Sequence, residues 1–229
     1  MTITRFKAKA LAVDIDGTIT DDSRVLHCPA VEALRNVRIP VILATGNSLC
    51  FARAAAKLIG VTDIIICENG GVIQVRYDQP EIVLGNKEIC LKAAKFLEKF
   101  FEVSYLDLEY RKSEVCIRRN FPINEARRIL RDKFKDKVKI LDSKFAYHIV
   151  DGTVSKGAAL EVIAKIIGVS TKEMAAIGDS ENDIDMFKKV GLGLAVANAD
   201  EELKKVADIV LTKNNGEGVI EALKILNLI

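Results

Sequence analysis

The sequence predicts an α/β fold in which a mainly parallel sheet carries a smaller inserted domain. Short apolar runs alternate with helical patterns through the first 70 residues, and the alternation resumes after residue 152. Such alternation is typical of βαβ units, which build parallel sheets with helices on both faces. Between these stretches the order changes to α-β-β-α-β-β, which favours a small antiparallel sheet with helices on one face.

The strands of the parallel sheet are recognised as short apolar runs, and the helices as amphipathic stretches between them. The predicted strands cover residues 10–13, 40–44, 63–67, 174–177, 192–196 and 209–211. The predicted helices cover residues 30–36, 49–58, 156–167, 183–189, 201–206 and 218–226. All of them belong to one predicted core domain, residues 1–82 and 153–229.

The inserted segment, residues 83–152, has its own pattern. Residues 86–101 are predicted to form an amphipathic helix, and the apolar side chains on one face are Ile89, Ala93, Phe96, Leu97 and Phe100. A second predicted helix covers 123–134, and strand-like runs cover 103–110, 114–119, 138–141 and 145–150. Gly85 and the pair Asp151-Gly152 stand at the two ends as predicted hinges. We therefore expect a small α+β domain between the two halves of the core.

Composition and charge argue against several classes of protein. The net charge is only +2 in 229 residues, which argues against a nucleic-acid surface, and no run reaches the roughly 18 apolar residues of a membrane helix. The five cysteines lack Cys-x-x-Cys spacing, so neither a zinc site nor a disulfide framework is expected. Residues 1–9 are basic and lack the apolar stretch of a signal peptide. We expect a soluble cytoplasmic protein, and the preference for Lys and Glu over Gln hints at a thermophilic source.

The most informative motif, Asp14-Ile15-Asp16-Gly17-Thr18, follows the first predicted strand. It places two carboxylates at the carboxyl end of a strand, where open α/β sheets bind ligands. Two carboxylates about 4 Å apart repel by roughly 4 kcal/mol at an effective dielectric near 20, so a cation such as Mg²⁺ is expected between them. An Asp-rich turn with Gly17 at positive φ is the simpler alternative. An EF-hand loop fits poorly, because Ile19 stands where its glycine belongs.

Two further motifs are suited to binding an anion. Thr45-Gly46-Asn47 ends the second predicted strand and offers a hydroxyl, a backbone turn and an amide. A helix N-cap at Thr45 would explain the same residues. Lys156 opens the helix after the inserted segment, where a cation beside the positive end of the helix dipole makes a strong anion site. A solvated surface lysine is the alternative, so each motif alone leaves both interpretations open.

A fourth motif, Gly178-Asp179-Ser180-Glu181-Asn182-Asp183, follows the predicted strand at 174–177. A capping box between Ser180 and Asp183 accounts for two of its residues but not for Asp179 at the strand end. If all four motifs lie at strand ends of one sheet, they meet and supply acids for a metal, a nucleophile, a hydroxyl and a lysine. Phosphoryl transfer needs that set, because its catalysis is mainly positioning and stabilisation of charge on phosphate oxygens.

In the identity and order of these motifs the chain resembles phosphatases of the haloacid dehalogenase (HAD) superfamily. Asp14-Ile15-Asp16-Gly17-Thr18, Thr45, Lys156 and Gly178-Asp179 with Asp183 stand in the family's order, and the inserted segment falls between the second and third motifs. The resemblance covers nearly the whole chain. It implies a Rossmann-like parallel-sheet core with helices on both faces and an inserted α/β cap of type II.

The resemblance also implies roles for individual residues. Asp14 would attack phosphorus, and Asp16 would protonate the leaving oxygen and then activate water. The residues implied for Mg²⁺ are Asp14, Asp16 through its backbone carbonyl, Asp179 and Asp183. The residues implied for the substrate are Thr45, Gly46, Asn47, Lys156 and Asn182.

The short inserted domain looks like the cap of archaeal-type phosphoglycolate phosphatases, which makes 2-phosphoglycolate the expected substrate. A sugar- or polyol-phosphate phosphatase is the alternative within the superfamily, and a non-catalytic phosphate-binding module is the alternative from a different class. The expected partner is a small phosphorylated metabolite, with no nucleic acid and no membrane, and a homodimer through an exposed strand edge stays open. The cap residues considered for the substrate carboxylate are Arg118, Arg119, Tyr147 and His148, and each also fits a strand face or the surface.

Overall fold

Strands of the larger sheet carry three of the four motifs, and the fourth, Lys156, lies at the start of a helix instead of at a strand end. A computed structural model describes residues 6–229, so the first five residues of the basic N-terminal segment lie outside the described residues. Within that part, eight strands pair in the order β12-β11-β10-β1-β2-β3-β4-β5. They are β1 (Ala10–Asp14), β2 (Val41–Ala44), β3 (Ile65–Cys67), β4 (Val72–Gln74), β5 (Ile82–Val83), β10 (Met174–Gly178), β11 (Leu192–Ala195) and β12 (Ile209–Val210). The pairs from β12 to β3 are parallel, and β4 and β5 add an antiparallel edge.

The centre of this sheet lies at β1, whose five residues are all buried. A parallel strand covered on both faces needs apolar side chains on both faces, which explains the continuous apolar run before Asp14. From β1 the chain continues to β2 on one side, whereas β10 pairs with β1 on the other side, so the strand order reverses between β1 and β10. Ligands of open α/β sheets bind at such a reversal, beyond the carboxyl ends of the strands.

Six helices of the described residues accompany the larger sheet. They are α1 (Cys28–Arg35), α2 (Leu49–Ile59), α5 (Lys156–Ile167), α6 (Ile184–Lys189), α7 (Glu201–Lys204) and α8 (Asn215–Ile225). Ser155 caps α5, because its Oγ accepts a hydrogen bond from the N–H of Ala158 at 3.1 Å. A Cβ on Gly157 would lie 2.3 Å from the carbonyl oxygen of Asp185, so glycine lets α5 pack closely on α6. This contact holds the start of α5, and with it Lys156, beside the loop that precedes α6.

A second, antiparallel sheet has the order β6-β7-β9-β8. Its strands are β6 (Tyr105–Leu106), β7 (Val115–Ile117), β8 (Val138–Asp142) and β9 (Tyr147–Asp151), and its helices are α3 (Lys87–Leu97) and α4 (Ile123–Phe134). We call these elements the cap. The cap has a hydrophobic cluster of its own, separate from that of the larger sheet. The division at residues 83–152 stays a prediction, and the separate sheets and clusters support it.

Several boundaries differ from the sequence prediction. The run 103–110 pairs only at β6, because Asp107 adopts a φ of +50° and starts a 3₁₀ turn at Leu108–Tyr110. The helix predicted over 86–101 ends at Leu97. Phe100 is 54% exposed, so packing of its side chain would contribute little to stabilising a longer helix. The hairpin β4–β5 was not predicted, since strands of three and two residues are too short to show a pattern. Across residues 6–229, none of the helices is long and apolar enough to cross a membrane.

Candidate active site

Four segments of the chain meet beyond the carboxyl ends of β1, β2 and β10. Asp14 is the last residue of β1, Thr45 directly follows β2, and Asp179 directly follows β10. Lys156, the first residue of α5, completes the group. Gly17 has a φ of +81°, and a Cβ there would lie 2.5 Å from Oδ2 of Asp179, so the turn after β1 packs directly on the loop after β10.

Lys156 is the cation at the centre of this group. Its side chain is fully buried, and Nζ lies 2.6 Å from Oδ1 of Asp14 and 2.7 Å from Oδ1 of Asp183. Nζ also donates to Oδ1 of Asn182 at 3.2 Å. Burial opposes the charged form of Lys156, but the two carboxylates hold its pKa above the usual range, so the ammonium stays charged. The structure therefore excludes the interpretation of Lys156 as a solvated surface residue.

Three acids form a cluster that is suited to a hard cation. Single carboxylate oxygens of Asp14, Asp179 and Asp183 lie within 4.8 Å of one another, and all three residues are buried. Burial and the neighbouring acids raise the pKa of Asp14 well above its ordinary value, against the effect of Lys156. Burial and Asp183 raise the pKa of Asp179 to about 6. Oδ2 of Asp14 is buried and has no hydrogen-bond partner within the described residues, so this oxygen is free to bind a cation or a substrate.

Asp183 positions the loop as well as the charge. Its Oδ2 accepts hydrogen bonds from the backbone N–H groups of Asp179 at 3.1 Å and Ser180 at 3.2 Å. A Cβ on Gly178 would lie 2.5 Å from the same oxygen. The capping box predicted from the sequence is present, and the same carboxylate also binds Lys156 through Oδ1.

The Asp16 carboxylate is held by partners other than those of the acid cluster. Its Oδ2 accepts hydrogen bonds from Nδ2 of Asn47 at 2.7 Å and from Oγ1 of Thr45 at 3.2 Å, and Nε of Arg24 lies 3.7 Å from Oδ1. The first two acids of the motif are therefore held in different surroundings. Such a separation suits one acid that binds a cation and a second that moves a proton. Metal binding through the backbone carbonyl of Asp16 stays a prediction.

The loop after β2 is anchored to the segment that follows β3. Oγ1 of Thr45 accepts a hydrogen bond from the N–H of Asn47 at 3.0 Å, and the carbonyl oxygen of Asn47 accepts one from the N–H of Glu68 at 2.9 Å. A Cβ on Gly46 would lie 3.0 Å from Oδ1 of Asn69. Asn69 in turn accepts a hydrogen bond from Nδ2 of Asn182 at 3.0 Å. Side chains from these separate segments thus form one hydrogen-bonded frame.

The cap closes over this frame and leaves a cavity of about 190 Å³. Glu68 joins the two parts, since its carboxylate accepts hydrogen bonds from the backbone N–H groups of Lys112 and Ser113. Arg111 donates from Nη1 to the carbonyl oxygen of Gly46 at 2.9 Å and pairs with Glu114. These contacts fix the cap residues 111–114 against the loop after β2.

Of the four cap residues considered from the sequence, His148 lines the cavity. Tyr147 donates to the carbonyl oxygen of Phe121 inside the cap, Arg119 pairs with Asp142, and Arg118 is exposed.

Sequence reasoning gave no role to five residues whose contacts shape the site. They are Arg24, Glu68, Arg111, Glu114 and Lys144. Of these, Glu68 was singled out only as part of a segment, Glu68-Asn69-Gly70-Gly71, that resembles the HAD subfamily. Lys144, in the turn between β8 and β9, reaches Asp179 at 3.2 Å and Asp200 at 3.2 Å. Two of the five had a local signal, since Glu68 directly follows the apolar strand β3 and Glu114 directly precedes the apolar strand β7.

Comparisons with known proteins agree with the geometry. The chain matches the model of the haloacid dehalogenase-like hydrolases over residues 11–120 and 118–223. A protein from Archaeoglobus fulgidus named phosphoglycolate phosphatase is 62% identical over 224 residues, which cover 98% of this chain and 99% of that protein. Another of that name, from Methanosarcina acetivorans, is 46% identical and covers 96% of this chain and 97% of its own.

Solved structures show the same fold. A crystal structure from Thermoplasma acidophilum matches with a TM-score of 0.88 at 23% sequence identity, covering 97% of this chain and 100% of that one. The predicted α/β class is thereby confirmed. Because a family model covers nearly all of the chain and full-length relatives exceed 40% identity, the chain belongs to the haloacid dehalogenase-like hydrolase family.

Proposed function

We propose that this chain is a Mg²⁺-dependent phosphatase that hydrolyses 2-phosphoglycolate to glycolate and phosphate through an aspartyl-phosphate. The observation that carries the proposal is how the two carboxylate oxygens of Asp14 are bonded. One of its carboxylate oxygens is held by Lys156, and the other is buried without a partner in the described chain. An oriented carboxylate beside a buried cation suits attack on a phosphorus atom whose oxygens that cation stabilises.

The chain's own residues divide the work of the first half-reaction. Asp14 forms a bond to phosphorus while the bond between phosphorus and the ester oxygen breaks, and Asp16 gives its proton to the departing oxygen. Lys156 and the hydroxyl of Thr45 stabilise charge on the phosphoryl oxygens. In the second half-reaction Asp16 takes a proton from water, which attacks phosphorus, and the bond to Asp14 breaks to release phosphate. Asn47 keeps the Asp16 carboxyl in place through the 2.7 Å hydrogen bond.

The buried acids fit a magnesium ion. Asp14, Asp179 and Asp183 offer oxygen ligands, and the partnerless oxygen of Asp14 needs a cation or a donor. When bound there, the ion would neutralise negative charge that three acids and a phosphoryl group bring together. Lys156 balances only part of that charge.

A small substrate is favoured by the size of the cavity and by the relatives. The cavity of about 190 Å³ is smaller than the roughly 300–1,000 Å³ typical of pockets for drug-sized ligands. The Archaeoglobus and Methanosarcina relatives are named phosphoglycolate phosphatases. 2-Phosphoglycolate is smaller than a hexose phosphate, so it suits a small cavity better. A cytoplasmic location and a homodimer stay predictions.

Phosphate release from a panel of esters tests the proposal. The panel contains 2-phosphoglycolate, hexose phosphates and p-nitrophenyl phosphate, each with Mg²⁺ and with EDTA. We expect Mg²⁺-dependent turnover led by 2-phosphoglycolate, lost in Asp14→Asn and kept in Asp132→Asn, a control on the exposed side of α4. Faster turnover of hexose phosphates would reject the substrate, and full activity of Asp14→Asn would reject the nucleophile. Absence of turnover with every ester would favour a phosphate-binding module.

A further inference from the structure

The cavity is lined by charges from both the core and the cap. Asp14 and Asp16 form part of its floor, and the permanently charged basic side chains that line it among residues 6–229 are Arg24 and Arg111. Arg24 is 46% exposed and lies over the ring of Phe145, 3.8 Å from its centroid. Arg111, by contrast, is only 4% exposed. The buried guanidinium is therefore the feature of the cavity wall that needs an explanation.

Arg111 uses only part of its hydrogen-bonding capacity within the protein. Nη1 donates to the carbonyl oxygen of Gly46 and contacts Glu114. Nε is buried without any hydrogen-bond partner, and Nη2 makes no hydrogen bond to the described residues. Nε and Nη2 share one edge of the planar guanidinium, and that edge presents two parallel N–H groups. An unpaired buried donor is costly, whereas a carboxylate satisfies both donors of such an edge.

The guanidinium is held rigidly by a network that crosses the cap and the core. Glu114 is buried and binds Nδ1 of His148 at 2.8 Å and Nδ2 of Asn69 at 2.9 Å, in addition to Arg111. Burial opposes ionisation of Glu114, but these neighbours keep its pKa below the ordinary value. Asn69 continues the network to Asn182, which binds the central lysine. A binding group that is fixed in advance loses little entropy when a ligand arrives.

We propose that Arg111 is a specificity-determining residue that binds a carboxylate of the substrate through its Nε and Nη2 edge. This inference rests on the proposed function, in which the phosphoryl group lies at Asp14 and Thr45. Arg111 is bonded to Gly46, the residue next to Thr45, so the carboxylate must be close to the phosphoryl group. A phosphorylated two-carbon acid meets that condition. An ester without the carboxylate leaves the buried Nε and the neighbouring Nη2 unpaired, and sites with unpaired polar groups reject such analogues strongly.

The test compares two esters of almost the same shape. 2-Phosphoglycolate carries the carboxylate, and 2-hydroxyethyl phosphate carries a hydroxymethyl group in its place. The ratio of their kcat/KM values is measured for the wild type, Arg111→Lys, Arg111→Gln and Arg24→Gln. We expect Arg111→Gln to lower this ratio by about 10- to 100-fold, the worth of a charged, two-point hydrogen bond. Arg111→Lys keeps the charge beside Glu114 but loses the planar guanidinium with its two parallel donors. We expect it to lower the ratio of kcat/KM values by about 10-fold.

The controls separate specificity from folding and from charge. A folding defect lowers kcat/KM for both esters and leaves their ratio unchanged, so an unchanged ratio in both Arg111 variants would overturn the inference. Arg24→Gln removes an equal charge from the same cavity, and a ratio that falls as far as in Arg111→Gln would assign discrimination to net charge instead. A wild type that hydrolyses both esters equally well would refute the role of Arg111 while the phosphatase function stands. Absence of turnover with both esters would refute the proposed function itself, and the inference with it.

Discussion

Replacing Lys156 with methionine tests the electrostatic balance of the site most directly. The ammonium is fully buried and lies 2.6 Å from Asp14 and 2.7 Å from Asp183. Methionine has a similar length and no charge, so the substitution removes the cation without leaving a large cavity. Two buried carboxylates then face each other without compensation. We expect loss of both stability and turnover.

The expected magnitude follows from the two contacts. At an effective dielectric near 20, each attraction is worth roughly 6 kcal/mol at these separations. Desolvation of the ions offsets much of that, and loss of one partner of a buried ion pair leaves a net cost of about 3–5 kcal/mol. Turnover falls by about 100- to 1,000-fold, as it does when one preorganised group that stabilises the transition state is removed.

Urea unfolding at neutral pH in EDTA measures the stability change without help from a metal. The control Lys165→Met lies on the exposed side of the same helix, and we expect its effect to stay within about 0.5 kcal/mol. The double variant Lys156→Met with Asp183→Asn removes one of the two stranded charges, so it unfolds at higher urea than Lys156→Met alone. A single variant as stable as the wild type, or a double variant no better than the single, would refute this electrostatic account.

Three further predictions address the cap, the packing and the metal. Burial raises the pKa of Glu114, but its neighbours, His148 foremost, outweigh burial and lower it below the ordinary pKa of 4.5. The charged carboxylate therefore stabilises the fold at pH values above 4.5. That stability is lost as the pH falls through the lower pKa of the folded state. Glu114→Gln therefore costs about 1–3 kcal/mol at pH 7, and urea unfolding curves of variant and wild type converge at acid pH. In Gly157→Ala the new Cβ meets the backbone oxygen of Asp185, and calorimetric melting shows a loss of about 1–3 kcal/mol. Asp179→Asn weakens Mg²⁺ binding by about 10-fold or more in a calorimetric titration, and unchanged affinity would remove Asp179 from the metal site.

Much of the fold was predictable, because the pattern of a parallel sheet is local. A buried strand such as β1 shows itself as a continuous apolar run, and a helix such as α5 shows itself by its period and its caps. The short strands β4 and β5 escaped because two or three residues carry no periodic signal. The turn at Asp107 escaped because a single residue at positive φ interrupts a run that looks like a strand.

The site, like the fold, has residues that could be predicted from the local sequence and residues that could not. Asp14, Thr45 and Asp179 stand next to the strands that carry them, so the order of strands in the chain was enough to predict that they meet. The contacts of Arg111 with Gly46, 65 residues away, leave no trace in the local sequence. Such a contact depends on how the cap is placed over the core, which is set by many weak contacts at once.

The sequence by itself determined the fold class, the family, the acids at the strand ends and the lysine at the start of a helix, because periodicity and motif order are properties of neighbouring residues. Tertiary structure alone decided which oxygen of Asp14 lacks a partner, that Lys156 is buried between two acids, and which cap residues line the cavity. These facts depend on distances between residues far apart in the chain. Burial and pairing, which set the charge and the affinity of each group, exist only once those residues are brought together.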